Sequence, residues 1–184
     1  AVSAVSVNPV DVKVRAGAQP APGEPRILGF DAVGVVDAIG SQVTRFKTGD
    51  RIWYAGDITR PGSNAQFQPV DERIAALAPH RLSDGEAAAM PLTAITAWEL
   101  LFDRLELDKR DTQGKTLLVV GAAGGVGSIL VQLAKTLTGL TVIGTASRPQ
   151  SQEWVLSLGA DAVIDHRQPL DQALQAAGFE QVDY

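Results

Sequence analysis

From Lys115 onward the chain alternates apolar runs with amphipathic segments so regularly that few folds can accommodate it. Lys115 to Val120 (KTLLVV) is a continuous apolar run of the kind buried on both faces of a sheet. Val126 to Leu137 carries a helical pattern, and Leu140 to Thr145 is a second apolar run. A helix over Gln150 to Leu158, a third strand at Ala162-Val163-Ile164, a helix over Leu170 to Ala177 and an incipient strand at Phe179 to Tyr184 continue the series. Strand–helix alternation of this kind predicts a parallel, doubly wound sheet.

Residues 1 to about 92 have a different texture: short apolar runs broken by Gly, Pro and Asp, with no long helical period. Ala32 to Val36, Arg51 to Tyr54 after the Lys47-Thr48-Gly49-Asp50 turn, and Ala65 to Gln68 read as strands of a small β-rich domain. Ser83 with Glu86 three residues on forms a capping box, so a short helix starts there and stops near Pro91. Ala97, Leu100, Leu101 and Leu105 then recur at helical spacing over Thr93 to Leu105, and a polar link follows over Leu107 to Gly114. The expected organisation is α/β, with a β-rich domain over 1–92 and a doubly wound domain over 93–184.

Composition narrows the function. The 184 residues carry 16 Lys and Arg against 21 Asp and Glu, a net charge of −5, with no basic block to track a phosphate backbone. Nucleic acid is not an expected partner. The chain has no cysteine, which removes disulfides, Fe–S clusters, thiol nucleophiles and cysteine-ligated zinc, and fits a cytoplasmic protein. Thr116 to Ala134 is long enough to span a membrane, but Gly121, Gly124, Gly125 and Gly127 interrupt it, so it reads as a loop between two buried elements and no membrane association is expected. The apolar start at Ala1 to Val7 without an initiating Met, and the strand-like end at Tyr184, suggest a fragment.

The loop after the first apolar run reads Gly121-Ala122-Ala123-Gly124-Gly125-Val126-Gly127. It follows a strand and opens a helix, where small residues let the backbone approach a pyrophosphate and the helix N-terminus faces it. Ala122, Gly124 and Gly127 stand at the spacing of a dinucleotide fingerprint, with Ala122 in place of the first glycine. The alternative is a tight turn with close helix–strand packing. After the next strand, where an acid would bind the ribose 2′-OH of NAD, the chain reads Thr145-Ala146-Ser147-Arg148. A hydroxyl and a guanidinium there suit a 2′-phosphate and favour NADP, although Arg148 also reads as a solvated charge.

Two histidines far apart make no metal centre. His80 lies in an exposed loop, and His166 follows the third strand at the carboxyl edge, near the adenosine end. Asn8-Pro9 reads equally as a turn or as part of a site, and Asp11, four residues before Arg15, as a local ion pair.

Asn8-Pro9-Val10-Asp11, Gly29-Phe30-Asp31 before the Gly34-Val35-Val36 strand, Gly49-Asp50-Arg51, Pro91-Leu92-Thr93-Ala94 with Thr96-Ala97, and the Ala122 to Gly127 loop occur in the order found in one family. Together they resemble the medium-chain dehydrogenase/reductase superfamily, in its zinc-free quinone oxidoreductase or zinc-type alcohol dehydrogenase-like branch. The resemblance implies a GroES-like β-barrel domain followed by a Rossmann NADP-binding domain. It also implies that the first barrel strands and the second half of the Rossmann sheet lie outside this chain. The Asn8-Pro9-Val10-Asp11 segment stands where zinc enzymes of the family carry a ligand cysteine, and Phe30 where they carry a histidine, so no metal site is expected.

The resemblance further implies that the Pro9 to Lys13 segment and Thr96 line the nicotinamide end, with Gly125 and Val126 at the pyrophosphate; Gly124 and Gly127, at the fingerprint spacing, are the other cofactor-binding candidates of the loop. Ser147, Arg148, Ser151 and His166 then surround the 2′-phosphate. Asn8, Asp11 and Lys13 become the catalytic candidates, with Lys13 standing where some relatives carry a tyrosine. Without zinc, hydride transfer from NADPH to a quinone or an α,β-unsaturated carbonyl is easier than alcohol–ketone interconversion, which loses the metal's polarising effect. The expected partner is thus a small-molecule acceptor, and an acyl-thioester enoyl reductase would share the chemistry. The alternative is a non-catalytic NADPH-binding member or an inactive fragment. The resemblance also allows a homodimer when full length.

Overall fold

Asp31 to Val35 is the strand around which the first half is assembled. In the computed structural model, which describes every residue except Ala18, Ala21, Lys109 and Arg110, β2 (Asp31–Val35) pairs antiparallel with β1 (Val2–Ser6) and with β3 (Arg51–Ala55). β4 (Ala75–Leu77) adds to β3, giving the order β1-β2-β3-β4. Successive strand residues face opposite sides, and both sides of β2 are covered. Val33 packs with Ala78, Ala87 and Ala88, while Ala32 packs with Tyr54 and Ala75.

Two sequence expectations change in this half. Pro9–Gly17 is a helix, α1, within a region read as strand and turn. Pro9 suits the first helical turn, where its missing N–H has no partner to lose. Asp11 Oδ2 accepts the N–H of Asn8 at 2.7 Å, the reciprocal half of a capping box. Asp11 is therefore buried at the helix start and forms no ion pair with Arg15. Ala65 to Gln68 is a loop rather than a strand: its Gln66 carbonyl accepts the Val2 N–H at 2.9 Å, Gln68 Nε2 reaches Pro61 O at 2.9 Å, and Phe67 is exposed. The helix α2 (Asp84–Ala88) starts behind the expected box, with Ser83 and Glu86 bonded reciprocally.

The helix α3 runs over Pro91–Glu99, beginning two residues earlier than its periodicity suggests. It then widens into a π-turn over Leu100–Arg104, closed by Leu105 N–H on Leu100 O at 3.0 Å. Beyond the polar link, part of which (Lys109, Arg110) lies outside the described residues, β5 (Thr116–Val119), β6 (Thr141–Thr145) and β7 (Ala162–Ile164) form a parallel sheet in the order β5-β6-β7. The crossovers are α4 (Gly125–Leu137) and α5 (Pro149–Ser157), and α6 (Leu170–Ala176) follows β7.

Helices cover both faces of this sheet, as double winding requires. Leu117, Val119 and Val142 share a core with Leu130, Val131 and Val155, and Ile143 and Ile164 share another with Leu174. The backbone of Asp183 and Tyr184 runs beside β5: both N–H groups donate to Thr116 O at 3.1 Å, and Leu118 N–H donates to Tyr184 O at 2.9 Å. The fold is α/β, with one antiparallel and one parallel sheet in two compact units, Ala1–Leu92 and Thr93–Tyr184. Among the described residues no helix is long and apolar enough to cross a membrane.

Candidate functional site

The chain leaves β5 and turns at Gly121, whose φ of +74° is a left-handed conformation that glycine adopts without strain. Thr145, buried at the end of β6, pins this turn. Its Oγ1 accepts the Gly121 N–H at 2.9 Å, and its carbonyl accepts the Ala122 N–H at 3.2 Å. The first intrahelical bond of α4 runs from Ser128 N–H to Gly124 O at 2.8 Å. The amides of Gly125, Val126 and Gly127 therefore have no intrahelical acceptor, and they sit at the positive end of the helix dipole.

Gly127 lets the loop lie against its own helix: a Cβ there would fall 2.5 Å from Gly121 O and 2.7 Å from Ala122 Cα. Close packing and an open row of donors thus occur together.

Beside this loop lies a cleft of about 200 Å³, lined by Gly121, Ala123, Gly124, Thr145, Ala146, Ser147, Arg148, Ser151 and His166. Gly124, Ser147, Arg148, Ser151 and His166, all expected to hold a cofactor, are brought together here, and no carboxylate is among the lining side chains. The remaining expected residues lie outside the lining. Gly127 is buried under the loop, Val126 packs against the core, Gly125 faces Thr93 Cγ2, and Thr96 is half-buried on α3. Gln152 shapes the turn into α5, its Nε2 donating to Ala146 O at 3.0 Å and its N–H to Arg148 O at 2.9 Å. Arg148 caps α5 without a side-chain bond to the helix and is exposed. His166 Nδ1 lies 3.3 Å from Thr145 Oγ1. Thr145 escaped the sequence reading because a threonine ending a strand looks like simple β-propensity.

The first unit holds a second polar group. Asp31, fully buried, accepts Asn8 Nδ2–H at 2.7 Å on Oδ2 and Leu92 N–H at 2.8 Å on Oδ1. A carboxylate only accepts, so the Asn8 amide must turn its NH₂ toward it. Burial holds the Asp31 carboxyl above its usual range, against the pull of the Asn8 and Leu92 donors; the nearby Asp11 charge adds to the rise. Asp11 Oδ1 is buried without a protein partner. Lys13 is exposed on α1 and takes no part in this network. His80 is exposed.

Comparison with known proteins decides the family. The alcohol dehydrogenase GroES-like domain matches residues 1–79, and the zinc-binding dehydrogenase family matches residues 125–184. The chain belongs to the medium-chain dehydrogenase/reductase superfamily. Among relatives in this superfamily, it is 47% identical over 185 residues to a zinc-type alcohol dehydrogenase-like protein of Staphylococcus aureus, covering 100% of this chain and 54% of the relative. It is 40% identical over 176 residues to the 2-methylene-furan-3-one reductase of Solanum lycopersicum, covering 90% of this chain and 43% of that protein. The crystal structure of Escherichia coli quinone oxidoreductase complexed with NADPH superposes with a TM-score of 0.81 at 33% identity, over 97% of this chain and 53% of that one. The chain spans about half the length of the curated relatives it matches.

At Asn8 the group facing Asp31 is an N–H donor, which cannot ligate a cation, and Phe30 is a buried hydrocarbon. Among the described residues no three His, Cys, Asp or Glu side chains are grouped to hold a metal ion. At these two positions the side chains do not suit zinc.

Proposed function

We propose that this chain belongs to an NADPH-dependent oxidoreductase that transfers hydride to a quinone or an α,β-unsaturated carbonyl without zinc. The observation that carries the reading is the cleft of Gly124, Ser147, Arg148, Ser151 and His166 beside the donor-rich start of α4, with no carboxylate in its lining. The amides of Gly125, Val126 and Gly127 suit a pyrophosphate, and Arg148 with the two serines suits a 2′-phosphate. Thr96 on α3 is assigned to the nicotinamide end. Bound NADPH supplies the hydride. The names of the tomato enone reductase and the NADPH-bound quinone oxidoreductase support this chemistry.

Of the three catalytic candidates, Lys13 has the chemistry to neutralise a developing oxyanion or deliver its proton. Asn8 and Asp11 serve it by fixing the start of α1, because the Asn8 side-chain amide is engaged by Asp31 and Asp11 Oδ2 by the Asn8 N–H. That same engagement favours a second reading, a member that binds NADPH without turnover. An acceptor screen separates the two. A chelator-resistant loss of NADPH absorbance with quinones or enones, faster than with NADH, is expected. Alcohol oxidation abolished by a chelator would overturn the proposal, and tight NADPH binding with no acceptor reduced would leave the second reading.

A further inference from the structure

The adenosine end of the cleft is formed where two parallel strands end side by side. Thr145 pairs with Ile164, and the Ala146 N–H donates to Ile164 O at 3.0 Å. Ser147 and Arg148 leave β6 at this level, and Asp165, His166 and Arg167 leave β7. Asp165 is therefore an acid one residue from His166, a side chain that lines a site read as taking a phosphate. Left alone, it would repel the anion.

It is not left alone. Arg167 Nη2 lies 2.6 Å from Asp165 Oδ2, and Arg167 Nε lies 3.1 Å from Oδ1 and 3.0 Å from Oδ2. The Arg167 N–H adds a fourth bond to Oδ1 at 2.9 Å. Both carboxylate oxygens are consumed and the pair carries no net charge. Asp161, at the other end of β7, is paired with Lys135 at 2.8 Å. With the Asp165 charge cancelled, Arg148 is left to set the sign of the field in the cleft.

We propose that Arg167 is a specificity-determining residue that acts without touching the nucleotide: by neutralising Asp165 it permits a 2′-phosphate between Arg148 and His166. This rests on the NADPH reading and names the control of its selectivity. The arrangement differs from NAD sites, where an unpaired acid after the second strand takes the ribose hydroxyls. Here the acid follows the third strand and is silenced by the residue two positions on. The low carboxyl value of Asp165, about 2, with the Arg167 bonds as its main cause, is consistent with a tight pair.

The test titrates the chain calorimetrically with 2′,5′-ADP and with 5′-AMP, which probe the adenosine end alone, at one low ionic strength near neutral pH. Wild type should prefer 2′,5′-ADP. Arg167→Ala should weaken 2′,5′-ADP by about three- to tenfold, the scale of one partly screened charge near a protein surface, while 5′-AMP changes little. Asp165→Asn should strengthen 2′,5′-ADP by freeing the guanidinium, and the double variant should return to the wild-type ratio. An Arg167→Ala protein that loses both ligands equally, or a double variant that stays weak, overturns the proposal while leaving the NADPH reading intact. A wild type without preference overturns the NADPH reading itself.

Discussion

The Asn8 side-chain amide donates to Asp31 Oδ2 at 2.7 Å, joining the residue before α1 to a fully buried carboxylate at the start of β2. The same Asn8 donates its main-chain N–H to Asp11 Oδ2 at 2.7 Å. Asn8→Ala leaves Asp31 with the Leu92 N–H alone, and removing one partner of a buried charged hydrogen bond costs about 2–4 kcal/mol. Asn8→Asp faces one carboxylate with another and should cost more near neutral pH than in mild acid. Urea unfolding of both variants checks this, and a cost below about 0.5 kcal/mol for Asn8→Ala would show that the bond is dispensable.

Asp31 also gives stability a pH dependence whose sign is set by burial. Its folded carboxyl value lies above the ordinary 3.8, so the native state binds more protons than the unfolded chain within that window. This contribution is fully present below 3.8 and is lost as pH rises through the folded value. Asp31→Asn removes the titration. The stability of wild type relative to Asp31→Asn should therefore fall as pH rises across the window, and a relative gain by wild type would contradict the assignment.

Two glycines with opposite surroundings give a contrast. Gly127→Ala drives a methyl to 2.5 Å from Gly121 O, whereas Gly85 on α2 has nothing within 4 Å of a built Cβ. Gly127→Ala should cost about 1–3 kcal/mol by overpacking and should also disrupt nucleotide binding. Gly85→Ala should be neutral or stabilising by up to about 1 kcal/mol. Thermal melts compare them directly.

Arg148→Glu places a carboxylate in the cleft that Ser147, Ser151 and His166 share. NADPH affinity should fall at least about tenfold while NADH changes little, because the new charge opposes the 2′-phosphate alone. Equal losses for both nucleotides would remove Arg148 from cofactor selection.

The parallel sheet was legible because helices cover both of its faces: the runs ending at Val119, Thr145 and Ile164 are apolar enough to leave no rival pattern. The cleft was legible for a related reason, since residues following consecutive parallel strands meet at one edge; this brings Ser147 and Arg148 to His166. α1 was hidden by three valines in nine residues, a β-like composition, and its real signals were Pro9 and Asp11 at the first turn. β4 is Ala-Ala-Leu, without a β-branched residue, and exists because β3 offers it a ladder from Ile52 to Leu77. The role of Asp31 lay beyond local pattern, because its two donors are 23 and 61 residues away. The π-turn closed by Leu105 on Leu100 likewise leaves no mark on the apolar spacing.

The most direct test of the account is a calorimetric titration of this chain with NADPH and NADH at matched ionic strength. The cleft of Arg148, Ser147 and Ser151, with no lining carboxylate, predicts clear preference for NADPH, diminishing as salt is raised. Equal affinity, or tighter binding of NADH, would contradict it.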